Sequence, residues 1–100
     1  MSFSEKCYAV LRKVPRGKVT TYGEIARAVG VLGGARAVGN AMNKNPYAPE
    51  VPCHRVICSD GKIGGFATGS AKKVKMLEKE NVEVRNWKVD LEKHKFILRR

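Results

Sequence analysis

Apolar residues recur at helical spacing in the first half of this 100-residue chain and at shorter spacing towards its end. Cys7, Val10, Leu11 and Val14 fall on one helical face, with Lys6, Arg12 and Lys13 opposite. The spacing predicts a first helix capped by Ser4 and stopped at Pro15-Arg16-Gly17. Lys18-Val19-Thr20 is short and extended. Thr21-Tyr22-Gly23-Glu24 has the form of a capping box, in which Thr21 and Glu24 satisfy each other's backbone donors. The helix it opens carries Ile25, Ala26 and Val29 and closes at Gly30. After the tight connection Val31-Leu32-Gly33-Gly34, a third helix runs from about Gly34 to Asn43. Val38 and Met42 point to its core side, and Ala37 and Ala41 make a second, smooth face.

The second half is more broken. Asn45-Pro46-Tyr47-Ala48-Pro49 is a loop, and Pro52 keeps the chain extended into Cys53. Val56-Ile57-Cys58 reads as a brief strand and Ser59-Asp60-Gly61-Lys62 as a turn. Ile63 to Gly69 is a glycine-rich loop with one aromatic, Phe66. Ser70 caps a fourth helix with Val74 and Leu77 inward, and Lys72, Lys73, Lys75 and Lys79 outward. It ends at Asn81. Val82, Val84, Trp87, Val89 and then Phe96-Ile97-Leu98 read as short strands around a polar turn at Asp90–Lys95. The pattern predicts one domain over residues 1–100, mainly α, with about four helices and a small β wing. Two short helices joined by a tight turn, the second lined with small residues, form a helix-turn-helix pattern. Many such hairpins bind nothing.

Charge adds a partner to this picture. Twenty Lys and Arg stand against nine Asp and Glu, a formal net charge of +11. The excess is spread over both halves, eight basic against three acidic groups in the first and twelve against six in the second. A general positive surface points to a polyanion, most often nucleic acid. The three cysteines, Cys7, Cys53 and Cys58, are an odd set for a disulfide framework. No apolar run is long enough to span a membrane, and Met1 to Lys6 lacks a leader's apolar stretch. The expectation is an intracellular protein, cytoplasmic or nuclear, monomeric and without membrane contact.

The sharpest chemical signal is Pro52-Cys53-His54-Arg55-Val56-Ile57. A free thiol is only slightly ionised at neutral pH, and a neighbouring base or positive charge raises its thiolate fraction. Neighbours in an extended strand point opposite ways, so His54 would meet the sulfur directly only on a turn, and otherwise through a water. A third group should orient the imidazole. Glu78, Glu80 and Asp60 are candidates, and Glu80, late in the fourth helix, is the choice. Taken alone, the pair also fits a small buried thiol beside a surface histidine. A zinc site fits poorly, because Cys53, His54 and Cys58 match no zinc spacing. Gly64–Gly69 is neither a P-loop nor a dinucleotide fingerprint. Arg36, a lone long cation among Gly and Ala, can reach into whatever its helix approaches, or simply be solvated. Tyr22, in the first turn of its helix, can offer its hydroxyl to a ligand or pack in the core.

Together, Thr21-Tyr22-Gly23-Glu24-Ile25-Ala26, Ala35-Arg36-Ala37-Val38-Gly39-Asn40-Ala41-Met42, Asn45-Pro46 and Pro52-Cys53-His54-Arg55-Val56-Ile57 resemble the C-terminal, DNA-binding and catalytic domain of the O6-alkylguanine-DNA alkyltransferases. The resemblance covers roughly residues 3–85. It implies a winged-helix-like fold and a single-turnover reaction that needs no cofactor or metal. By that resemblance, Ala35, Ala37, Gly39 and Ala41 would lie against the minor groove of duplex DNA bearing O6-alkylguanine. Arg36 would replace the extruded base. Cys53 would take the alkyl group from O6, or from O4 of an alkylated thymine. His54, through a water, and Glu80 would activate it, and Tyr22 would protonate the departing base. Asn45 would brace the helix-turn-helix against the active-site segment. Met42 and Phe66 would line the pocket, and the backbone of Cys53, Val56 and Ala67 would read the guanine.

Two departures are visible. The matched region starts almost at Met1, so an N-terminal domain is expected to be absent. Many members place tyrosine then serine where this chain has Phe66-Ala67, which bears on rate and substrate range. Two rivals follow. Alkyltransferase-like proteins bind the same lesions without transfer, and resemble this chain in lacking the extra domain, but typically carry tryptophan at the position of Cys53. A helix-turn-helix transcription regulator would explain the charge and the small-faced helix, but not Pro52-Cys53-His54-Arg55 or Glu80.

Overall fold

The computed structural model of the chain describes residues 1–65 and 69–98. Helix α1 spans Phe3–Leu11. Its cap is Ser2, whose hydroxyl accepts from the Glu5 amide at 3.1 Å, so the expected Ser4 cap lies inside the helix. The two-residue strand β1, Thr20–Thr21, leads straight into helix α2, Tyr22–Ala28. Only half of the capping box forms. Thr21 Oγ1 accepts from the Glu24 amide at 3.1 Å, but the Glu24 carboxylate turns to Arg27 and to the amide of Leu98. A charged partner and a distant backbone donor outbid the local one.

Helix α3, Ala35–Asn43, follows after a connection closed on Gly34. A Cβ there would stand 2.8 Å from Val31 Cγ1, so the turn tolerates no side chain. Helices α1, α2 and α3 pack around Cys7, Leu11, Val14, Ile25, Val38 and Met42. Tyr8, buried in this core, donates its hydroxyl to the Ala41 carbonyl at 2.7 Å and ties α1 to α3. Ala41 is therefore a core residue, 3% exposed, and not part of an outer small-residue face with Ala35 and Ala37.

Strand β2, Val56–Ile57, pairs in parallel with β1, Thr20 opposite Val56 and Thr21 opposite Ile57. Its two side chains point to opposite faces, as in any strand. Val56 enters the helical core, and Ile57 enters a second core with Val19, Ile63, Leu77, Val82 and Val89. The residues just before β2 are thus pinned from both sides. Helix α4, Ser70–Lys79, lies over this second core. Ser70 is its first residue and donates to the Gly64 carbonyl instead of capping. Strands β3, Val84–Arg85, and β4, Lys88–Val89, form an antiparallel hairpin, the predicted wing. The expected polar turn at 90–95 is instead a short helix α5, Leu91–His94, because the Asp90 carboxylate accepts from the Glu92 amide and caps it. The expected strand at Phe96–Leu98 does not form. That segment makes one bridge, Val19 with Lys95, then sends Leu98 into the helical core under the Glu24–Arg27 pair. Among the described residues no helix is long and apolar enough to cross a membrane.

Candidate active site

Cys53, His54 and Arg55 form a single 3-10 turn between Pro52 and β2. The turn is closed by Arg55 N donating to the Pro52 carbonyl at 2.9 Å, while Cys53 N donates to the Val51 carbonyl at 2.8 Å. At three residues per turn, neighbouring side chains diverge by about 120° instead of the 180° of a strand. Cys53 and His54 are both buried, 8% and 4% exposed.

Glu80 meets them from the C-cap of α4. His54 Nε2 lies 3.0 Å from Glu80 Oε2. Of the three carboxylates considered, Glu78 and Asp60 stay on the surface, and Asp60 accepts instead from the Lys62 amide. Arg55 completes the arrangement. Its Nε and Nη2 donate to the two oxygens of Glu80, each at 2.8 Å, and its Nη1 donates to the Val14 carbonyl at 2.9 Å. A bidentate guanidinium fixes a carboxylate in direction as well as charge. Burial alone would push the Glu80 carboxyl up, but the hydrogen bonds from Arg55 and His54 outweigh it and hold the pKa below the ordinary value. Burial lowers the His54 pKa, and Glu80 only partly opposes it. The imidazole is therefore neutral at neutral pH. With its proton on Nε2 and shared with Glu80, Nδ1 is the basic nitrogen. Sequence reading passed over Arg55 as one more basic residue; its place directly after the histidine was the available signal.

Tyr22 opens α2 beside the loop at Gly64 and Cys58, where a Cβ on Gly64 would stand 3.1 Å from Cys58 Sγ and 3.7 Å from the Tyr22 hydroxyl. Burial, with the nearby Cys58 and Cys53, pushes the phenol up to about 12, so it stays a proton donor. Lys73 reaches the same spot. Expected outward on α4, it is fully buried, with Nζ 3.3 Å from the Tyr22 hydroxyl and 3.2 Å from the Gly65 carbonyl. Burial pulls its pKa down to about 8, against the pull of Cys58 and Cys53 in the other direction. Helical periodicity counts a lysine as polar and sends it outward; only the approach of α2 shows that its long stem crosses the core to a phenol.

Asn45 sits just past α3, with Nδ2 donating to the Val51 carbonyl at 2.8 Å and Oδ1 accepting from the Tyr47 amide at 2.9 Å. It thereby links the end of the helix-turn-helix to the strand of chain entering Cys53. Met42 and Val56 share the helical core with Cys53. Val56 is wholly buried, backbone and side chain alike. Phe66 and Ala67 lie outside the described residues. A groove of about 410 Å³ runs along α3, lined by Tyr22, Ala35, Arg36, Gly39, Cys58 and Gly64 among others. Arg36 and Ala37 are exposed, Gly39 partly so. A larger hollow of about 460 Å³, between the β3–β4 hairpin and α5, holds none of these residues.

The described lining of the groove along α3 takes in Tyr22 and Cys58 but not Cys53, His54 or Glu80. A buried Cys-His-Glu series in a chain that also carries a helix-turn-helix is a specific combination. The family profile described as 6-O-methylguanine DNA methyltransferase, DNA binding domain, matches residues 2–82. The chain belongs to this family. Among methyltransferase relatives, a methylated-DNA–protein-cysteine methyltransferase of Candida glabrata is 41% identical over 92% of this chain and 44% of its own length. A bifunctional methyltransferase/endonuclease of Picrophilus torridus is 38% identical over 89% of this chain and 30% of its own. The chain thus spans less than half the length of these curated relatives. A structure of S. pombe Atl1, in complex with damaged DNA containing O6-carboxymethylguanine, superimposes with a TM-score of 0.86 at 39% identity and covers 94% of both chains. A Mycobacterium tuberculosis OGT–DNA complex superimposes at 0.77 with 44% identity, over 80% of this chain and 50% of that one. The methyltransferase family assignment and the mainly helical fold with small sheets agree with the expectations from sequence.

Proposed function

We propose that this chain repairs DNA by taking an alkyl group from O6 of guanine onto Cys53, once per protein molecule. The observation that carries the reading is the 3.0 Å contact between His54 Nε2 and Glu80 Oε2, next in sequence to a buried free cysteine. Neutral His54, its Nε2 proton held by Glu80, can accept the thiol proton at Nδ1 through a water. The thiolate then displaces the alkyl carbon from O6. The S–C bond forms, the C–O bond breaks, and the electron pair moves into the purine ring. Tyr22, protonated because its pKa is about 12, can return a proton to the ring. Lys73, an ammonium below about pH 8, donates to the Tyr22 oxygen and would steady the phenolate left behind. The products are guanine and a thioether, which is why no second turnover follows.

Duplex DNA is the substrate this reading requires. The net charge of +11, the exposed Arg36, Ala35 and Ala37 along α3 and the groove beside them support minor-groove docking, with Arg36 filling the gap left by the flipped base. Flipping costs a few kcal/mol, least for a damaged pair. Asn45 serves as the brace that couples α3 to the segment entering Cys53.

A second reading has one observation in its favour. The superposition on S. pombe Atl1 has a TM-score of 0.86, against 0.77 for the Mycobacterium tuberculosis OGT complex. It would make this a lesion-binding protein. The cysteine at position 53, with its histidine and carboxylate in place, favours transfer. Incubation with a duplex containing O6-methylguanine, under reducing conditions, should add one methyl mass to the peptide holding Cys53 and stop at one equivalent. Tight lesion binding without that adduct would overturn transfer and leave the lesion-binding reading.

A further inference from the structure

The tip of the β3–β4 hairpin carries an unusual residue for its geometry. Asn86 and Trp87 both hold left-handed backbone, at φ 50° and 64°. Two-residue hairpin turns of this kind favour Asn-Gly, because the second position penalises a Cβ. This chain places its sole tryptophan there. Burial does not offset the strain, since Trp87 is 57% exposed. Nor is the tip loose. Ile63 N donates to the Trp87 carbonyl and Val89 N to the Gly61 carbonyl, each at 2.9 Å. Gly61 permits this contact, as a Cβ there would stand 2.8 Å from the Val89 carbonyl oxygen. The indole is therefore held out on a fixed support.

What it borders indicates its use. Trp87 lines a hollow of about 370 Å³ with Cys58, Lys62, Gly64, Ser70 and Lys88. Cys58 and Gly64 also line the groove along α3, so the two hollows share part of their walls. Among the described lining residues of the Trp87 hollow there are two lysines and no carboxylate. Nearby, Glu83 pairs with Arg85 and Lys93, and Asp60 with Lys62. An aromatic plate beside ammonium groups is the combination that takes a base or sugar face together with its phosphates.

We propose that the Asn86-Trp87 tip is a second contact with the duplex already docked on α3. Trp87 packs on the nucleic acid next to the lesion, and Lys62 and Lys88 face its backbone. This rests on the DNA-binding reading above. The tryptophan provides its own probe. The chain is titrated with O6-methylguanine duplex while indole emission and the anisotropy of dye-labelled DNA are followed together. The expected result is quenching that saturates with the anisotropy. Trp87→Gly should raise the melting temperature, because it relieves the left-handed strain, yet weaken duplex binding roughly tenfold, the weight of one aromatic contact. That opposition of stability and binding separates a lost contact from a damaged fold. Full anisotropy with unchanged emission, or wild-type affinity in Trp87→Gly, would overturn the proposal and leave the indole for a protein partner. Absence of any anisotropy change would instead overturn DNA binding itself.

Discussion

His54 and Glu80 stand 26 positions apart in the chain and 3.0 Å apart in the fold, with Arg55 gripping the same carboxylate through two 2.8 Å hydrogen bonds. One acid therefore serves a guanidinium and a neutral imidazole. It holds the imidazole by one oxygen and is itself held by a guanidinium anchored to the Val14 carbonyl, in the turn after α1. The Cys53–Arg55 turn, the C-cap of α4 and the segment after α1 meet on this single group.

Glu80→Gln tests that junction. The amide keeps the shape but loses the charge that orients the His54 proton. Transfer to Cys53 should slow about a hundredfold, within the range of a general-base contribution. Arg55, left half-buried against a neutral amide, should cost stability on the order of 3 kcal/mol. Single-turnover transfer and urea melts would measure the two effects separately. An unchanged rate with reduced stability would make Glu80 a structural residue only.

Lys73→Met removes the ammonium behind Tyr22. The transfer rate at neutral pH should fall roughly tenfold, the weight of one charged hydrogen bond. Thermal stability should hold or rise, because an ammonium with an ordinary pKa of 10.5 is kept in the core at about 8. Below about pH 8 the wild-type lysine is charged and its advantage is full; above it the charge is lost. The ratio of wild-type to variant rates should therefore shrink as pH rises through about 8, which a pH–rate series would reveal.

Acid should loosen the fold in two stages. The folded pKa of His54 lies below its ordinary 6.5, so the unfolded chain takes up that proton first and stability declines as pH falls below 6.5. The Glu80 pKa is also depressed; its contribution is full above its ordinary 4.5 and is lost as pH falls through the lower folded value. Urea midpoints at about pH 7 and about pH 5 should differ, and His54→Phe should flatten that upper limb. A midpoint independent of pH across this interval would contradict the neutral, buried imidazole.

Arg36→Ala should separate DNA repair from chemistry. Arg36 is exposed and lines the groove of α3, whereas Cys53 is buried and is not among that groove's described lining residues. Repair of a methylated duplex should weaken by at least about tenfold more than reaction with free O6-benzylguanine, which needs no flipping. Equal losses on both substrates would remove Arg36 from base extrusion.

Much of the site was legible because its members sit in short, contiguous words. Cys53-His54 offers a nucleophile and base or a buried thiol beside a histidine, and Glu80, chosen late in the fourth helix, does meet His54. Lys73 was not legible. Its position on α4 is an ordinary polar slot, and its burial depends on Tyr22, 51 residues earlier in the chain. Ala41 failed in the opposite sense: a small residue suits an outer face or a crowded core equally, and the Tyr8 hydroxyl on its carbonyl shows which. The short helix at Leu91–His94 and the missing strand after it were misjudged because four residues carry too little periodicity to distinguish a turn from a helix.

The amino-acid sequence alone determined the helical order, the helix-turn-helix, the positive surface and the adjacency of Cys53 and His54, all of which are properties of neighbouring residues. Tertiary structure alone decided that β2 would pair with β1, that one carboxylate would hold both His54 and Arg55, and that a lysine would lie beneath Tyr22. Those are contacts between distant segments. Their strength comes from excluding water around charges and hydrogen bonds, and that exclusion exists only once the two cores have closed on either side of β2.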